Sequence, residues 1–178
     1  MSKVDSVDMI SNNQCRLFSS HSKAILQYLI QDISGIKRGE KGKIQYVIIT
    51  GSRERAFQLI ACFCKALQNQ PISCHASVGS LKLERDLKAL HFGVDILVVT
   101  ASRLSRLYYG NENCFDKIQT VILDECELLF SKPMRKKVCW KYINNSLVDR
   151  GRFIRTSSYW YSSVFHRRLA SYKELLFI

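Results

Sequence analysis

An apolar run at residues 121–123, Val-Ile-Leu, ends in the acidic sequence Asp-Glu-Cys-Glu at residues 124–127. Aliphatic residues that follow one another without alternation are typical of a strand buried on both faces. The acids would then lie at the carboxyl end of that strand, the edge of an open α/β sheet where ligands bind. Asp124 and Glu125 at that edge could hold Mg²⁺ and orient a water for attack on a nucleoside triphosphate. The alternative is a helix start, because acids also stabilise the first turn of a helix.

Strands that alternate with helices would position these acids. Apolar runs predict strands at residues 15–19, 46–50, 72–78, 94–99, 117–123, 153–157 and 175–178. Helical spacing predicts helices at residues 23–36, 51–68, 81–90, 100–110, from 133 onwards, and 164–172. This alternation implies an α/β fold, a parallel sheet with helices on both faces. We expect one domain at residues 15–178, preceded by a polar segment at residues 1–14.

The composition limits the class of protein. With 178 residues, 47% of them hydrophobic, the chain is expected to form one globular domain. It contains neither an apolar run of about 18 residues, which a membrane span needs, nor the apolar core of a signal peptide at its start. Its seven cysteines are scattered and odd in number, which favours a reducing compartment over a disulfide framework. We expect no metal site, because tetrahedral zinc needs four well-spaced ligands.

The net charge of +12 is unevenly distributed. Eleven Lys or Arg residues and only two acids lie between Ser131 and Glu174. Such a basic face favours an anionic polymer, since binding releases the counterions of the polymer. The alternative is a solvated surface that keeps the protein soluble. Nucleic acid is the preferred interpretation.

Short motifs follow the predicted strands in a defined order. They are Thr-Gly-Ser-Arg-Glu at 50–54, Val-Gly-Ser at 78–80, Thr-Ala-Ser-Arg-Leu at 100–104 and Leu-Asp-Glu-Cys-Glu at 123–127. In order and spacing the chain resembles the amino-terminal RecA-like lobe of DEAD-box RNA helicases, whose motifs are Pro-Thr-Arg-Glu-Leu, Gly-Gly, Thr-Pro-Gly-Arg-Leu and Asp-Glu-Ala-Asp. The resemblance covers nearly all of the chain from about residue 15. It implies a RecA-like parallel sheet, with single-stranded RNA as ligand and with ATP and Mg²⁺ as cofactors in active members.

The phosphate loop of the family aligns with residues 17–24, Leu-Phe-Ser-Ser-His-Ser-Lys-Ala. Lys23 is retained, whereas Ser20 and Ser22 replace the two loop glycines and Ala24 replaces the threonine that holds Mg²⁺. Glycine lets backbone N–H groups wrap a phosphate, and the threonine hydroxyl is a direct metal ligand. We therefore expect severely weakened ATP binding, no ATP turnover and no cofactor. Asp124 and Glu125 would be vestigial catalytic residues.

Further departures concern other motifs. Residues 157–159, Ser-Ser-Tyr, align with the Ser-Ala-Thr motif of the family, and Glu127 replaces the last Asp of the acidic motif. Gly51 and Arg55 replace a proline and a leucine, so a different local turn is expected there. Residues 1–14 contain no convincing match to the adenine-reading Q motif. Turnover would also need the second lobe of the family, because catalysis requires both walls of the cleft.

The RNA-binding segments are better preserved. The resemblance implies that Ser52, Arg53, Gly79, Thr100 and Arg103 hold the phosphate backbone of one RNA strand. The two arginines can bind phosphates as bidentate donors, and the other three supply shorter polar contacts. Such binding would be independent of base sequence. For Arg53 the alternative is an ion pair or a contribution to the start of the helix.

A DEAD-box lobe whose phosphate loop has lost its glycines and its threonine resembles the helicase-like modules of Tudor-domain proteins in the piRNA pathway, the Yb type. This implies an ATPase-deficient RNA-binding or scaffolding module in cytoplasmic ribonucleoprotein granules. Its partners would be single-stranded RNA and other silencing proteins. A homodimer is an open alternative, and no membrane is expected as a partner. One alternative is the lobe of an active RNA helicase that uses ATP and Mg²⁺. Another is a platform for protein interaction or dimerisation that binds no RNA.

Overall fold

The computed structural model describes residues 15–19, 41–118, 120–125, 128–129 and 157–162. Within these ranges the strands are β1 (Cys15–Ser19), β2 (Tyr46–Thr50), β3 (Cys74–Ser77), β4 (Ile96–Thr100), β5 (Thr120–Asp124) and β6 (Ser157–Ser162). The α-helices are α1 (Arg53–Ala66), α2 (Leu83–Phe92) and α3 (Ala101–Tyr108), and Glu112–Phe115 forms a 3₁₀ helix.

The strands form one sheet in the order β1-β6-β5-β2-β4-β3, and each neighbouring pair is parallel. In the pairing register Thr50, the last residue of β2, lies opposite both Asp124 of β5 and Thr100 of β4. The carboxyl ends of these three strands therefore meet at one edge. The predicted α/β fold with a parallel sheet is confirmed.

The core lies on both faces of the sheet. Side chains alternate across a strand, so Val47 and Ile49 of β2 face one way while Tyr46 and Ile48 face the other. The first pair packs in a cluster with residues of α2 and α3, and the second pair packs in a cluster with Ala56, Leu59 and Phe63 of α1. The central strands are therefore covered on both sides, which explains their unbroken apolar sequences.

Several predicted boundaries shift by two or three residues, as at β3 and α2. The last described strand lies at Ser157–Ser162, whereas residues 153–156 of the strand predicted at 153–157 lie outside the described residues. Its central residues 159–161 are Tyr-Trp-Tyr, and aromatic residues favour strands. The Ser-Ser-Tyr sequence at 157–159 therefore lies within this strand. The residue of β6 opposite Asp124 is Tyr161.

Other predictions lie outside the described residues. They are the polar segment at 1–14, the helices at 23–36, from 133 onwards and at 164–172, the strand at 175–178, and the loop containing Ser20, Ser22 and Lys23. In the described ranges, no helix has the length and hydropathy needed to cross a bilayer.

Gly51 joins β2 to α1 at the crowded edge of the sheet. A Cβ built on Gly51 would lie 2.5 Å from the Cβ of Leu128, shorter than any normal contact. Leu128 follows the acidic sequence, and its amide N–H bonds the Glu125 carbonyl at 2.9 Å. The turn after β2 and the turn after β5 therefore pass so closely that only glycine fits.

We predict that Gly51→Ala destabilises the protein. Overpacking of this kind costs about 1–3 kcal/mol, which should lower Tm by several degrees in a thermal melt followed by circular dichroism. Gly79→Ala is the matched control, because a Cβ at Gly79 would have its closest neighbour, the Ser102 Oγ, at 4.0 Å. Equal melting temperatures for the two variants would contradict the close approach.

Candidate functional site

Three of the four sequence motifs meet in a cavity of about 440 Å³ at the carboxyl edge of the sheet. Its lining residues come from the turns after β2, β3 and β4: Gly51, Ser52, Arg53, Glu54, Gly79, Ser80, Thr100, Ala101 and Ser102. The parallel sheet thus brings together three segments that are far apart in the sequence. Four of the five predicted RNA-binding residues line this cavity, although their contact with RNA stays a prediction.

Two helices begin at the cavity. Ser52 caps α1, where its hydroxyl accepts a hydrogen bond from the Arg55 amide at 3.3 Å. Thr100 precedes α3 but makes no capping bond, and its Oγ1 is buried without a hydrogen-bond partner in the described part of the chain. Helix amino termini carry partial positive charge and unpaired N–H groups. The cavity therefore suits an anion, and the Thr100 hydroxyl is a donor that lacks an acceptor.

Side chains of both charges lie at the rim of the cavity. Arg53 and Glu54 form the exposed first turn of α1. The Glu54 carboxylate favours the start of the helix and opposes an anion there. Ser80 and Ser102 are also exposed. Arg53 is thus the cation available to a ligand among the residues that line the cavity.

Arg103 does not reach the cavity surface. It is only 2% exposed, and its guanidinium donates to the Val78 carbonyl from Nε at 3.1 Å and from Nη2 at 2.8 Å. It also bonds the Leu81 carbonyl and lies 3.5 Å from Asp86. In this structure the Arg103 guanidinium is engaged by backbone carbonyls, and its direct contact with phosphate stays a prediction. Arg103 holds the turn that contains Gly79 from below.

Asp86 anchors this support and is fully buried in α2. Its Oδ1 lies 2.8 Å from His75 Nε2, and its Oδ2 accepts the Ser77 hydroxyl at 2.6 Å. Burial acts to raise the pKa of Asp86, but the bonds from His75 and Ser77 and the charges of His75 and Arg103 outweigh it. The net effect is a lowered pKa. The ionised form of Asp86 is therefore part of the folded structure.

The acidic edge contains an ion pair that the sequence motifs did not reveal. Asp124 Oδ2 accepts a hydrogen bond from Arg55 Nε at 2.7 Å, and both side chains are largely buried. Burial raises the pKa of the Asp124 carboxyl, and the bond and charge of Arg55 offset only part of that rise, while Glu125 adds to it. The signal that could have revealed this pair was the arginine at 55, where the family has leucine.

Glu125 links the acidic edge to the cavity. Its Oε2 accepts hydrogen bonds from Ser52 Oγ at 2.8 Å and Thr50 Oγ1 at 3.1 Å. The residue has φ +53°, a left-handed conformation that costs a non-glycine residue about 1–2 kcal/mol. The two bonds to its side chain offset part of this cost. The same serine therefore caps α1 and positions the acidic turn.

Among the residues that the structure describes, the acidic edge offers few free oxygens for magnesium. Mg²⁺ takes six oxygen ligands in octahedral geometry and needs free carboxylate oxygens. Here Asp124 is bonded to a guanidinium and Glu125 to two hydroxyls. No group of three or more His, Cys, Asp or Glu side chains suited to a metal occurs among the residues that the structure describes. The other predicted cofactor residues, Ser20, Ser22 and Lys23, lie outside those residues.

We predict that Asp86→Asn destabilises the fold by about 3 kcal/mol at pH 7, since it leaves buried Arg103 without its counter-charge. A depressed carboxyl pKa contributes stability above its unfolded value, near pH 4, and loses it as pH falls through the folded value. The difference from the unmodified protein should therefore shrink below about pH 4. Urea denaturation at pH 7 and at low pH measures this, with Glu84→Gln on the exposed face of α2 as control. A loss that does not depend on pH would contradict the ionic contribution.

The chain is similar to known proteins in sequence and in fold. A family model for DEAD/DEAH box helicases matches residues 22–157. The chain is 30% identical over 106 residues to the ATP-dependent RNA helicase RhlB of Serratia proteamaculans, covering 58% of this chain and 24% of RhlB. It is 26% identical over 111 residues to the ATP-dependent RNA helicase eIF4A of Candida albicans, covering 62% of this chain and 28% of eIF4A. The chain thus spans about a quarter of the length of these curated relatives.

Solved structures show the same fold. The yeast DEAD-box splicing factor Prp28 superposes with a TM-score of 0.77 at 14% identity, covering 91% of this chain and 38% of Prp28. The DEAD-box helicase Mss116, solved with single-stranded RNA and UDP-BeF, gives 0.73 at 14% identity, covering 92% of this chain and 34% of Mss116. The RecA-like prediction is confirmed. With a family model that matches most of its length, the chain belongs to the DEAD/DEAH box helicase family and has the fold of its amino-terminal RecA-like lobe.

Proposed function

We propose that the chain is an RNA-binding lobe that holds the sugar-phosphate backbone of single-stranded RNA in the cavity and does not turn over ATP. The observation that carries this proposal is the meeting of two helix amino termini around the Thr100 hydroxyl, which is buried and has no partner among the described residues. A buried hydroxyl without a partner is costly, and a phosphate oxygen would satisfy it.

The cavity supplies several donors for a phosphate chain. Backbone N–H groups at the start of α1 and of α3 are available to bind anions. Exposed Ser80 and Ser102 add hydroxyls, and Arg53 adds a charge-assisted contact. The single-stranded RNA in the Mss116 structure belongs to a protein of the same fold, which supports RNA as the ligand.

Binding of this kind does not distinguish base sequences. Phosphate contacts set the position and register of a nucleic acid, whereas base contacts determine specificity. The residues that line the cavity are small apart from Arg53 and Glu54, and none of them is aromatic, so they offer no aromatic surface on which a base could stack. The net charge of +12 would draw RNA to the protein from a distance.

The absence of ATP turnover is supported by the phosphate loop. Ser20, Ser22 and Ala24 replace residues that wrap the phosphates and hold the metal, although Lys23 is retained. The second candidate is the lobe of an active ATP-dependent RNA helicase. It is favoured by the intact Asp124 and Glu125 and by the names of the relatives.

The cellular setting is a further part of the proposal. We place the module in cytoplasmic ribonucleoprotein granules of the small-RNA, piRNA-type silencing machinery, where it brings RNA and other silencing proteins together and can form a homodimer. The support is the set of residues replaced in the phosphate loop, Ser20, Ser22 and Ala24, which resembles the loop of Yb-type Tudor-domain proteins. The setting can be tested by crosslinking the protein to RNA in cells and identifying the RNA that is recovered with it. Complexes that contain no small-RNA precursors would contradict this setting.

We predict that Ser102→Glu weakens RNA binding by about tenfold or more, because it places a negative charge beside the phosphate. The fold should be unaffected, since an acid in the first turn of α3 favours the helix dipole. The measurement is fluorescence anisotropy with a labelled single-stranded oligouridylate at low and moderate salt. Ser105→Glu, one turn later and outside the cavity lining, is the matched control and should bind within about twofold of the unmodified protein.

Two results would contradict the RNA proposal. One is no binding by the unmodified protein even at 50 mM salt, and the other is an equal affinity for the Ser102 and Ser105 variants. Either result would leave a protein-interaction platform as the better function. If the proposal is correct, Arg53→Ala should also reduce the slope of log affinity against log salt by about one.

We predict that ATP with Mg²⁺ leaves the melting temperature unchanged. A ligand at 100 times its Kd stabilises a protein by about 2.7 kcal/mol, so real binding would raise Tm by several degrees. Differential scanning fluorimetry at millimolar ATP·Mg²⁺ tests this. A rise in Tm that disappears in Lys23→Ala would show a working phosphate loop and favour the active helicase.

A further inference from the structure

Arg55 lies beside Asp124 and forms an ion pair with it. The Arg55 Nε to Asp124 Oδ2 distance is 2.7 Å, and the side chains are only 15% and 7% exposed. The two residues come from the first turn of α1 and the end of β5, two segments that the parallel sheet brings together. The contact is thus a partly buried ion pair and not a surface encounter.

This pair competes with a divalent cation in two ways. The guanidinium already engages Asp124 Oδ2, so a cation would have to approach this carboxylate through Oδ1 with Arg55 beside it. The positive charge of Arg55 would also repel the cation, by an energy that is large at short distance in a partly buried site. Arginine keeps its charge at all physiological pH values, so this block is permanent.

The described groups around Asp124 leave few oxygens for a metal. Glu125 lies close enough to act on both Asp124 and Arg55, but its Oε2 is already bonded to Thr50 and Ser52. The described charges around Asp124 therefore form a self-contained set of one cation and two acids.

We propose that Arg55 replaces the divalent cation as the resident counter-ion of Asp124. The acidic edge then keeps its geometry without metal. Through the Glu125 contact with Ser52, it also holds the start of α1 in place for the cavity. Arg55 is therefore a positioning residue that excludes metal, and this proposal is independent of whether the cavity binds RNA.

The test uses Mn²⁺ alone as the probe, with free ion measured by electron paramagnetic resonance. As a single substitution, with Arg55 retained, Asp124→Asn should leave Mn²⁺ affinity unchanged within about twofold, because Asp124 is already paired with Arg55. Arg55→Leu should raise Mn²⁺ affinity by about tenfold or more, and Arg55→Leu with Asp124→Asn should abolish that gain. Arg106→Leu, which removes the same charge from an exposed position of α3, is the matched control and should show no gain.

Two results would overturn the proposal. In the first, Asp124→Asn weakens Mn²⁺ binding to the otherwise unmodified protein, which shows that Asp124 is open to a cation despite Arg55. This arm needs no substitution of Arg55, so it remains decisive if Arg55→Leu fails to fold. In the second, Arg55→Leu folds, as shown by circular dichroism, but binds Mn²⁺ no better than Arg106→Leu. Failure of RNA binding would affect neither arm.

Discussion

The parallel pairing of β2 with both β4 and β5 is the constraint on which the site depends. It places Thr50, Thr100 and Asp124 at the same level of the sheet. Every turn that leaves this edge must then pass close to the next. The contact between Gly51 and Leu128 shows how tightly this packing restricts the chain. An anion cavity and an acidic edge can lie side by side because three strands end together.

The two parts of the site are coupled through few atoms. The Ser52 hydroxyl caps α1 and also donates to Glu125, so one side chain takes part in the start of the helix and in the acidic turn. On the other side of the cavity, Asp86 and Arg103 support the turn at Gly79 from beneath. Buried polar groups of this kind must be satisfied together, because each leaves its partner unpaired when it is lost. The cavity is therefore held by polar contacts on two sides and by the apolar core behind it.

The acidic edge differs from a metal-binding edge in the way its charge is balanced. An intramolecular guanidinium neutralises Asp124 at all times, whereas a bound ion would come and go with its ligand. Such an arrangement suits a lobe that binds RNA without a nucleotide cycle. On the proposal that Arg55 excludes metal, intact acidic residues in the sequence are not sufficient to indicate magnesium chemistry.

Within the described residues, local patterns were enough to predict the strands and α-helices and their order, although several bounds shift. The strand at Tyr46–Thr50 was predicted at its observed bounds, because a strand buried on both faces leaves an unbroken apolar sequence. The resemblance to DEAD-box helicases also implied that the segments containing Ser52, Gly79 and Thr100 act on one ligand, and the structure brings them together around one cavity. Three features depended on tertiary structure: the burial of Arg103, the two bonds of Glu125, and the pairing of Arg55 with Asp124 across 69 residues. The reason is physical, because the partner of a charged side chain is set by the direction in which packing turns it, and residue type and spacing carry no record of that direction.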